Sequence, residues 1–320
     1  MKTGTKIILL IGILLLAFGI TALKIAHHRG ESFLPNLTDI NVGSGTVHLG
    51  YDQKDYTVLR GGEESFSAKE VKALRIDWIS GEVEVERYDG ADVVVREKAS
   101  VSLSEDECLR YKLSGGTLSI LPCANSVRDL PDKVLTVLIP QSLKLKDFSA
   151  DSASASVLLG GLDVKGKISL DAASGSLSVE DCNCAALDLD SASGSQSVLR
   201  TSVSGDVDAD LASGSFTAEG LDCAKLDVDG ASGAVRAEGL LCRIVDVDTA
   251  SGEVSLAFDA PPEKVEIGTV SGAVTLAFPK GLGLDIDFDT ASGKLRGEVF
   301  YGSLPVDVDT VSGNLTIEYR

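Results

Sequence analysis

Three segments in the second half of the chain share one pattern: LDLDSASG at residues 187–194, LDVDGASG at residues 226–233 and VDVDTASG at residues 245–252. In each segment apolar residues alternate with aspartates for four positions, and a Ser-Gly pair ends the segment. Strict alternation with a period of two indicates a β-strand that buries one face. A glycine directly after such a strand can adopt the positive φ of a sharp corner. The pattern therefore predicts a strand that ends at a corner.

The Ser-Gly corner recurs almost to the end of the chain. Successive serines are 19 to 21 residues apart, and Ser154-Ala155 is a degenerate first member. A fixed period of this size indicates a solenoid, in which each coil buries its apolar face only by stacking on its neighbours. The predicted structural turn residues are the two members of each regular pair: Ser174, Gly175, Ser193, Gly194, Ser213, Gly214, Ser232, Gly233, Ser251, Gly252, Ser271, Gly272, Ser292, Gly293, Ser312 and Gly313.

A second alternating strand follows each corner, for example Val254-Ser255-Leu256. Each coil is therefore predicted to hold two short strands, which pair with their equivalents about 4.8 Å above and below. The small residue before each serine, such as Ala231, is expected on the cramped inside of the bend, and the serine hydroxyl is expected to cap local backbone groups. The inward ladders are expected in chain order: Leu189, Ala209, Val228, Val247, Ile267, Phe288 and Val308 on one wall, and Val254, Val274, Leu295 and Leu315 on the other.

The repeat extends less regularly toward the N-terminus. Residues 76–85, IDWISGEVEV, match it, with Asp77 three residues before Ser80. Further strands are expected at residues 93–96, 118–121 and 134–139. This part is expected to begin the same solenoid and to cover its first edge. The predicted fold class is all-β, a β-solenoid with coils of about 20 residues, preceded by one N-terminal transmembrane helix.

An apolar segment precedes all of these strands. Residues 7–23 carry no charge, Lys2 and Lys6 come before them, and a helix extended to Ala26 is long enough to span a bilayer. A cleaved signal peptide is the alternative, but its apolar region is usually shorter and a small-x-small cleavage site follows it. The early lysines favour a cytoplasmic N-terminus. We therefore expect a single-pass protein of the cell membrane, spanning it with residues 7–26, with an extracytoplasmic C-terminal domain.

Four parts of the chain follow from these patterns. They are a membrane anchor at residues 1–29, a linker at residues 30–70, irregular N-terminal β-coils at residues 71–150 and regular Ser-Gly repeats at residues 151–320.

The composition limits the classes of function that fit. The formal net charge is -19, which argues against nucleic acid and anionic lipid head groups as partners, because both would repel the chain. The three histidines stand at positions 27, 28 and 48, outside the repeats, and the sequence has no CxxC pair. A zinc site of the usual Cys/His spacing is therefore excluded.

Acidic residues form two ladders on the predicted outward face. An aspartate lies three residues before each repeat serine except at Gly268, and an acidic residue lies five before each serine from Ser193 onward, with Glu266 in place of one aspartate. Carboxylates about 4.8 Å apart repel each other by roughly 0.9 kcal/mol per neighbour even in bulk water. Bound Ca²⁺, which prefers oxygen ligands, would offset this repulsion. Solvation, salt screening and hydrogen bonds to turn N–H groups would offset it too, and the pattern favours this second explanation. The candidate Ca²⁺ ligands are Asp227, Asp229, Asp246 and Asp248.

Paired carboxylates also hydrolyse glycosides in some enzymes. Here the pair repeats in nearly every coil, whereas a catalytic pair is singular and lies in a cleft. Trp78 is the only tryptophan that could stack on a sugar. The sequence therefore predicts no enzyme, no catalytic residue and no cofactor other than the Ca²⁺ just considered.

Two further columns of equivalent residues are expected to be structural. Cys184, Cys223 and Cys242 each lie ten residues after a repeat serine, and Val203 fills the same position between them. Because valine shares the position, free buried thiols are favoured, although Cys223 and Cys242 are near enough for a disulfide. A threonine column two residues before the serine is expected to form hydrogen bonds across coils: Thr249, Thr269, Thr290 and Thr310.

The order of segments resembles that of a known family. An anchor, LRIDWISGEVEVERYDGADVVVRE at residues 74–97, LTVLIPQSLKLKDFSADSAS at residues 135–154 and the Ser-Gly repeats are similar to the bacterial putative-adhesin family of β-strand repeat proteins, a domain of unknown function. The resemblance covers residues 71–320 and implies a cell-surface adhesin or envelope scaffold without catalytic residues, whose partner is an unidentified envelope or surface ligand. The alternative is a regulatory or sensory accessory of a cell-envelope stress system. A carbohydrate-active β-helix enzyme is the third candidate.

Overall fold

The structure, a computed structural model, describes residues 53–127 and 129–320, and all regular elements there are β-strands. The predicted anchor, residues 7–26, lies outside this range, as does more than half of the predicted linker. Within the described range, no helix has the length and apolar character needed to cross a membrane.

Twenty-eight strands are found in the described residues. Those of the irregular N-terminal part are β1 (Thr57–Val58), β2 (Glu63–Ser67), β3 (Ala73–Trp78), β4 (Gly81–Tyr88), β5 (Asp92–Ala99), β6 (Arg110–Ser114), β7 (Thr117–Leu121) and β8 (Lys133–Pro140). Those of the repeats are β9 (Asp147–Ser152), β10 (Ser156–Gly160), β11 (Lys167–Ser174), β12 (Leu177–Glu180), β13 (Asn183–Cys184), β14 (Ala186–Ser193), β15 (Gln196–Leu199), β16 (Ser202–Val203), β17 (Asp206–Ser213), β18 (Phe216–Glu219), β19 (Lys225–Ser232), β20 (Val235–Leu240), β21 (Ile244–Ser251), β22 (Val254–Phe258), β23 (Lys264–Ser271), β24 (Val274–Phe278), β25 (Leu284–Thr290), β26 (Leu295–Arg296), β27 (Leu304–Ser312) and β28 (Leu315–Tyr319).

Two long sheets form the walls of the solenoid. Sheet A has 13 strands in the order β1-β6-β7-β3-β9-β11-β14-β17-β19-β21-β23-β27-β25, and sheet B has 13 in the order β2-β5-β8-β4-β10-β12-β15-β18-β20-β22-β24-β28-β26. A third, narrow side carries the short pair of β13 and β16. In the repeats, one strand of each long sheet and the corner between them make up a coil, and coils pair in parallel. The predicted all-β solenoid is confirmed.

Equivalent positions of the repeat are aligned from coil to coil. On sheet A, Asp227 pairs with Asp246 and Ser232 with Ser251. Alternate side chains point inward, where Val228 and Val247 are fully buried. Each coil adds apolar surface to this continuous core, and burial contributes about 25 cal/mol per Å² of apolar area. The coils are therefore stabilised by stacking, as the sequence predicts.

The stacking order departs from chain order at both ends of the solenoid. Near the N-terminus, β3 lies between β7 and β9, so the coil of β7 and β8 stacks outside the coil that precedes it in sequence. Near the C-terminus, β27 lies between β23 and β25, and sheet B repeats this exchange. The expected chain-order ladder is therefore wrong at its end, because Val308 pairs with both Ile267 and Phe288. The last strands of the chain are internal, and the coil before them forms the end of the solenoid.

Close stacking of the coils requires the corner glycines. A Cβ added at Gly233 would lie 1.6 Å from the carbonyl oxygen of Gly214, and the φ of Gly233 is +121°. The neighbouring serine hydroxyls connect coils as well, since Ser213 Oγ donates to the carbonyl oxygen of Ala192 in the preceding coil at 3.3 Å. The expected local cap is therefore wrong: this hydroxyl forms a bond between coils.

The inside of the corner is one residue earlier than expected. Ala231 is half-buried and not enclosed, whereas Leu211, two residues before its serine, is 2% exposed. Thr269 and Thr310 occupy this inward column and are buried, yet their hydroxyls lack a hydrogen-bond partner within the described residues. The expected cross-coil hydrogen bonds are not formed at these two threonines, because their hydroxyls face the apolar interior.

Antiparallel strands cover the N-terminal end. β1 pairs with β6 and β6 with β7 on sheet A, while β2 pairs with β5 and β5 with β8 on sheet B. Both β1 and β2 fall within residues 30–70, the range predicted as a linker. The outermost strands are a two-residue strand and a strand that begins with Glu63 and Glu64, and short or charged edges resist pairing with other chains. The first edge is thus protected, as expected.

The cysteine column is buried. Cys184 pairs in register with Val203, and the Sγ atoms of Cys223 and Cys242 lie 2.8 Å apart without a disulfide. Burial raises the pKa of Cys184 to about 12. The column is therefore part of the core, as the shared valine position predicts.

Candidate functional site: the acidic face of sheet A

Sheet A carries both aspartate ladders on its outward side. We call the residues three before each corner serine the corner column and those five before it the far column. Register pairing places Asp227 beside Asp246 in the far column and Asp229 beside Asp248 in the corner column. The four predicted Ca²⁺ ligands therefore lie next to one another on two adjacent strands.

The corner column is more buried than a solvated outward column would be. Near the N-terminal end, Asp77, Asp151 and Asp171 are 3%, 6% and 9% exposed. Their strands pair directly, so each carboxyl is flanked by another one rung away. Arg75 is the nearby cation, with Nη2 at 3.5 Å from Oδ2 of Asp151. Stacked carboxyls in this part of the face are therefore largely removed from water.

This burial changes the protonation of the corner column. Burial, with the neighbouring charges of Asp77 and Asp171, raises the pKa of Asp151 to about 9 despite Arg75. Burial and adjacent aspartates raise the pKa of Asp190 to about 9 and that of Asp248 to about 7. Desolvation and like charges both favour the neutral carboxylic acid. At neutral pH the buried part of the column therefore keeps protons, which removes much of the expected repulsion.

Lysine side chains offset part of the negative charge of the far column. Lys225 Nζ lies 2.6 Å from Oδ2 of Asp227 and 3.5 Å from Oδ2 of Asp246. Lys264 repeats the arrangement with Glu266 at 2.7 Å. Each lysine precedes its acidic partner by two residues on the same strand, so the alternation places both on one face. Sequence reasoning missed these pairs, although the Lys-x-Asp and Lys-x-Glu spacing was available as a signal.

The four candidate Ca²⁺ ligands share the acidic face with a lysine side chain. Among the described residues, no group of three or more His, Cys, Asp or Glu side chains is arranged to hold a metal ion. The ammonium group of Lys225 lies between two of the four candidate ligands. Ca²⁺ coordination by Asp227, Asp229, Asp246 and Asp248 therefore stays a prediction.

A second polar cluster lies under the N-terminal cap. The Lys133 side chain is fully buried, and its Nζ lies 2.6 Å from Oε1 of Glu97 and 2.7 Å from the carbonyl oxygen of Glu107. The Trp78 ring centroid is 5.0 Å from the same ammonium group. Glu97 also accepts a hydrogen bond from the backbone N–H of Leu109 at 3.0 Å. The cluster joins β5, β8 and the loops around them, so its role is to hold the cap.

A comparison with protein-family models identifies one family that covers most of the described chain. The family model described as Toastrack DUF4097 matches residues 68–318. No curated protein matches the chain.

Three solved structures are similar at low sequence identity. A putative cell adhesion protein from Clostridium sporogenes ATCC 15579 shares 10% identity with a TM-score of 0.26, covering 81% of this chain and 98% of its own. A putative adhesin from Parabacteroides distasonis ATCC 8503 shares 9% identity with a TM-score of 0.44, covering 79% of this chain and 95% of its own. A putative lipid binding protein from the same organism shares 17% identity with a TM-score of 0.40, covering 81% of this chain and 97% of its own.

The family match spans most of the chain, from residue 68, shortly before β3, to residue 318 in β28. It includes residues 74–97, residues 135–154 and the Ser-Gly corners, on which the resemblance to the adhesin-like repeat family was based together with the anchor, and that resemblance is confirmed. The chain belongs to the Toastrack DUF4097 family.

Proposed function

We propose that this chain is a membrane-anchored surface rod: its Toastrack solenoid stands outside the cell membrane, held by residues 7–26, and serves adhesion or envelope scaffolding without catalysis. The observation that supports the proposal is the polarity of the solenoid. The chain enters at the capped end, since β1 and β2 are the outermost strands there. The opposite end is the one farthest from the point where the chain enters the solenoid.

The solenoid is long enough to act as a spacer. Each of its two walls has 13 strands, and a spacing of about 4.8 Å gives a length of roughly 58 Å. Coils that contact only their neighbours form a stiff, extended array. Such a rod would carry its far end well away from the bilayer.

The acidic face supports a structural role rather than catalysis. Its chemistry repeats on successive strands, and its carboxyls are paired with lysines or with each other. A catalytic site needs a singular arrangement in which an acid and a base are held apart from solvent around one substrate. A repeated outward column offers many equivalent positions and favours none of them.

The orientation is tested by protease treatment of intact cells that carry the full chain with an epitope tag after Arg320. We expect the tag to be lost from intact cells, while a tagged cytoplasmic protein in the same cells is retained. A tag that survives in intact cells and disappears only after lysis would contradict the extracytoplasmic placement.

A further inference from the structure

The end of the solenoid opposite the cap is open. β25 ends sheet A and β26 ends sheet B. In the described chain, residues 300–302 bond to Leu284 at the start of β25, and no further segment pairs with the outer edges of the two strands. The inward column is incompletely covered there: Phe288 is only half-buried and Leu295 is 42% exposed. Tyr301, which follows on the same coil, is 86% exposed. Backbone donors and acceptors and apolar side chains are thus presented together, which is the usual composition of a strand-pairing surface.

The two strands of this last coil carry opposite charge. The outward residues of β25 are Asp285, Asp287 and Asp289, whereas those on either side of Leu295 in the β26 segment are Lys294 and Arg296. Leu295 pairs with the fully buried Leu315, so alternation turns the two basic side chains outward. One corner therefore separates an acidic edge from a basic edge.

We propose that this open end binds the open end of a second copy of the chain. In the proposed dimer, a two-fold axis passes through the corner near residues 291 and 292 and runs perpendicular to the solenoid axis. Such an axis places β25 of one copy over β26 of the other. The two strands run in opposite directions, because one leads to the corner and the other leads away from it.

The register that follows from this axis places acidic residues opposite basic ones at the two outward positions nearest the corner, while farther from the corner Asp285 lies opposite Glu298. Asp287 lies opposite Arg296 of the second copy, and Asp289 lies opposite Lys294 of the second copy. On the inward side, Phe288 lies opposite Leu295, so the exposed core of each copy is covered by the other. Each contact occurs twice, as a two-fold interface requires.

Charge complementarity selects this arrangement over the other way of joining two open ends. If β25 paired with β25 of a second copy, aspartates would face aspartates across the interface, and like charges directly opposite each other in an antiparallel pair are destabilising. Opposite charges in these positions stabilise the pair. The end face of a single coil is small compared with standard protein interfaces, which bury about 800 Å² per partner. We therefore expect a weak, concentration-dependent dimer.

The dimer places the two capped ends at opposite extremes. This consequence rests on the proposed function: if the anchors follow the caps, paired rods would join two facing membranes at a separation of roughly 120 Å, twice the length of one solenoid. The pairing itself does not depend on the anchor. The partner proposed for the surface rod is thus another copy of itself on an opposing membrane.

The pairing is tested by charge exchange in the full chain. Chains with two different affinity tags are purified separately in detergent, mixed, and captured through one tag. The basic variant carries Asp287→Lys and Asp289→Lys, and the acidic variant carries Lys294→Glu and Arg296→Glu. A matched control carries Asp206→Lys and Asp208→Lys, which make the same charge change at outward positions in the middle of sheet A.

Wild-type chains and control chains are expected to capture their own kind, and each end variant is expected to lose self-capture to the level of an untagged protein. Mixing the basic with the acidic variant is expected to restore capture, because each altered edge then meets its complement. Equal melting temperatures show that the variants are folded. Absence of wild-type self-capture, retention of it in either end variant, or failure of the mixture would overturn the proposal.

A separate measurement distinguishes the pairing from its consequence at membranes. Wild-type chains reconstituted into lipid vesicles are expected to aggregate the vesicles. Vesicles that carry the basic variant are expected to stay dispersed. Capture without aggregation would leave the pairing in place and contradict the anchored orientation.

Discussion

The two ends of this solenoid differ in how their edge strands are covered. At the N-terminal end, antiparallel strands close both sheets, and the buried ion pair of Lys133 with Glu97 holds them to the first coils. At the C-terminal end, the chain turns back before its last strands, and the coil of β25 and β26 is left as the outermost layer. In this outermost layer, inward residues such as Leu295 are exposed.

The difference shows which end is closed by strands of the described chain. A solenoid needs a terminal unit that protects its edge strands, because an exposed edge pairs with other chains. At the N-terminal end, strands of this protein itself protect the edge. The inserted position of β27 adds to the contrast, since this strand follows β25 in the chain and could have covered its edge, yet it lies one layer inside. The open end is therefore expected to be the less stable one and the one that meets a partner.

Removing the lysine of the buried ion pair in the cap is expected to cost the most stability. Lys133→Met leaves the Glu97 carboxylate buried without its cation, and losing one partner of a buried pair costs about 3–5 kcal/mol. We expect the global unfolding transition of the full chain to shift to lower denaturant concentration by a corresponding amount. The double variant Lys133→Met with Glu97→Gln, which removes both charges, is expected to recover part of the loss.

The matched control for the cap variant is an exposed ion pair. Arg320 and Asp259 form one at 2.8 Å, with side chains 41% and 60% exposed. Such pairs contribute less than about 1 kcal/mol, so Asp259→Ala is expected to have a small effect. Similar losses for Lys133→Met and Asp259→Ala would show that the cap is not held by its buried pair.

Two corner glycines, one inside the stack and one in the outermost coil, are expected to respond differently to the same substitution. A Cβ at Gly272 would lie 1.8 Å from the carbonyl oxygen of Gly252, and one at Gly293 would lie 1.8 Å from that of Gly313. Gly272 is inside the stack and Gly293 is in the outermost coil. Gly272→Ala is expected to destabilise the whole solenoid by about 1–3 kcal/mol, as overpacking does. Gly293→Ala is expected mainly to loosen the outermost coil, since repeats contact only their neighbours.

Hydrogen exchange of the full chain separates these outcomes. In Gly293→Ala, faster exchange confined to residues 284–296 with a nearly unchanged melting temperature is expected. Equal losses of melting temperature in the two variants would mean that the open end is as tightly coupled to the stack as the interior is.

Much of the fold followed from the sequence, because each coil repeats the same local signal. The alternation of Leu226, Asp227, Val228 and Asp229 fixed the strand and its faces, and the Ser-Gly spacing fixed the period. The order of the coils at the ends did not follow. Every coil presents nearly the same inward column, so the stacking of Val308 beside Ile267 is as compatible with the local pattern as the chain-order alternative.

The candidate site was predicted in position but not in environment. Alternation placed the aspartates of the corner column outward, as the register confirms. Their burial depends on carboxyls one rung away and on Arg75, which belongs to a strand more than 70 residues earlier than Asp151. The buried Lys133 gave no local signal either, because its partner Glu97 lies 36 residues away. Both features require tertiary contacts that periodicity does not contain.

The protonated corner column predicts a dependence of stability on pH. The folded pKa of Asp151 is about 9, above its ordinary value of 3.8, with Asp77, Asp171 and Arg75 beside it. A raised folded pKa means that the folded state holds the proton more tightly, so its contribution to stability is complete below pH 4 and is lost as the pH rises toward 9. The melting temperature is therefore expected to be higher at pH 5 than at pH 8.5, by a few degrees.

The two ends again provide the control. Asp151→Asn keeps a neutral side chain near the cap at every pH and is expected to flatten this dependence. Asp285→Asn, at an exposed position of the open end, is expected to leave it unchanged. A wild-type melting temperature that rises from pH 5 to pH 8.5, or equal profiles for the two variants, would contradict the assignment of buried protons to the corner column.

The smallest expected effect concerns Ca²⁺ on the middle of the acidic face, between the two ends. Lys225 already lies within 3.5 Å of Asp227 and Asp246, and burial with neighbouring carboxylates raises the pKa of Asp248 to about 7. Protons and a lysine thus occupy positions that a cation would need. If cations only screen the face, Na⁺ at matched ionic strength stabilises the fold as well as Ca²⁺, because Debye screening depends on ionic strength and not on ion identity. We expect equal melting temperatures in Ca²⁺ and in Na⁺ at matched ionic strength, and no saturable heat in a calorimetric titration with Ca²⁺.

Chelation by the four aspartates would give the opposite result. Millimolar Ca²⁺ would then raise the melting temperature beyond the matched Na⁺ control by mass action on the folded state, and the gain would disappear when the four residues are changed to Asn: Asp227, Asp229, Asp246 and Asp248. The variant Lys225→Ala removes the competing ammonium group and leaves all four carboxyls in register. If Ca²⁺ raises the melting temperature of this variant but not that of the wild type, the lysine, and not the geometry of the columns, prevents the metal from binding.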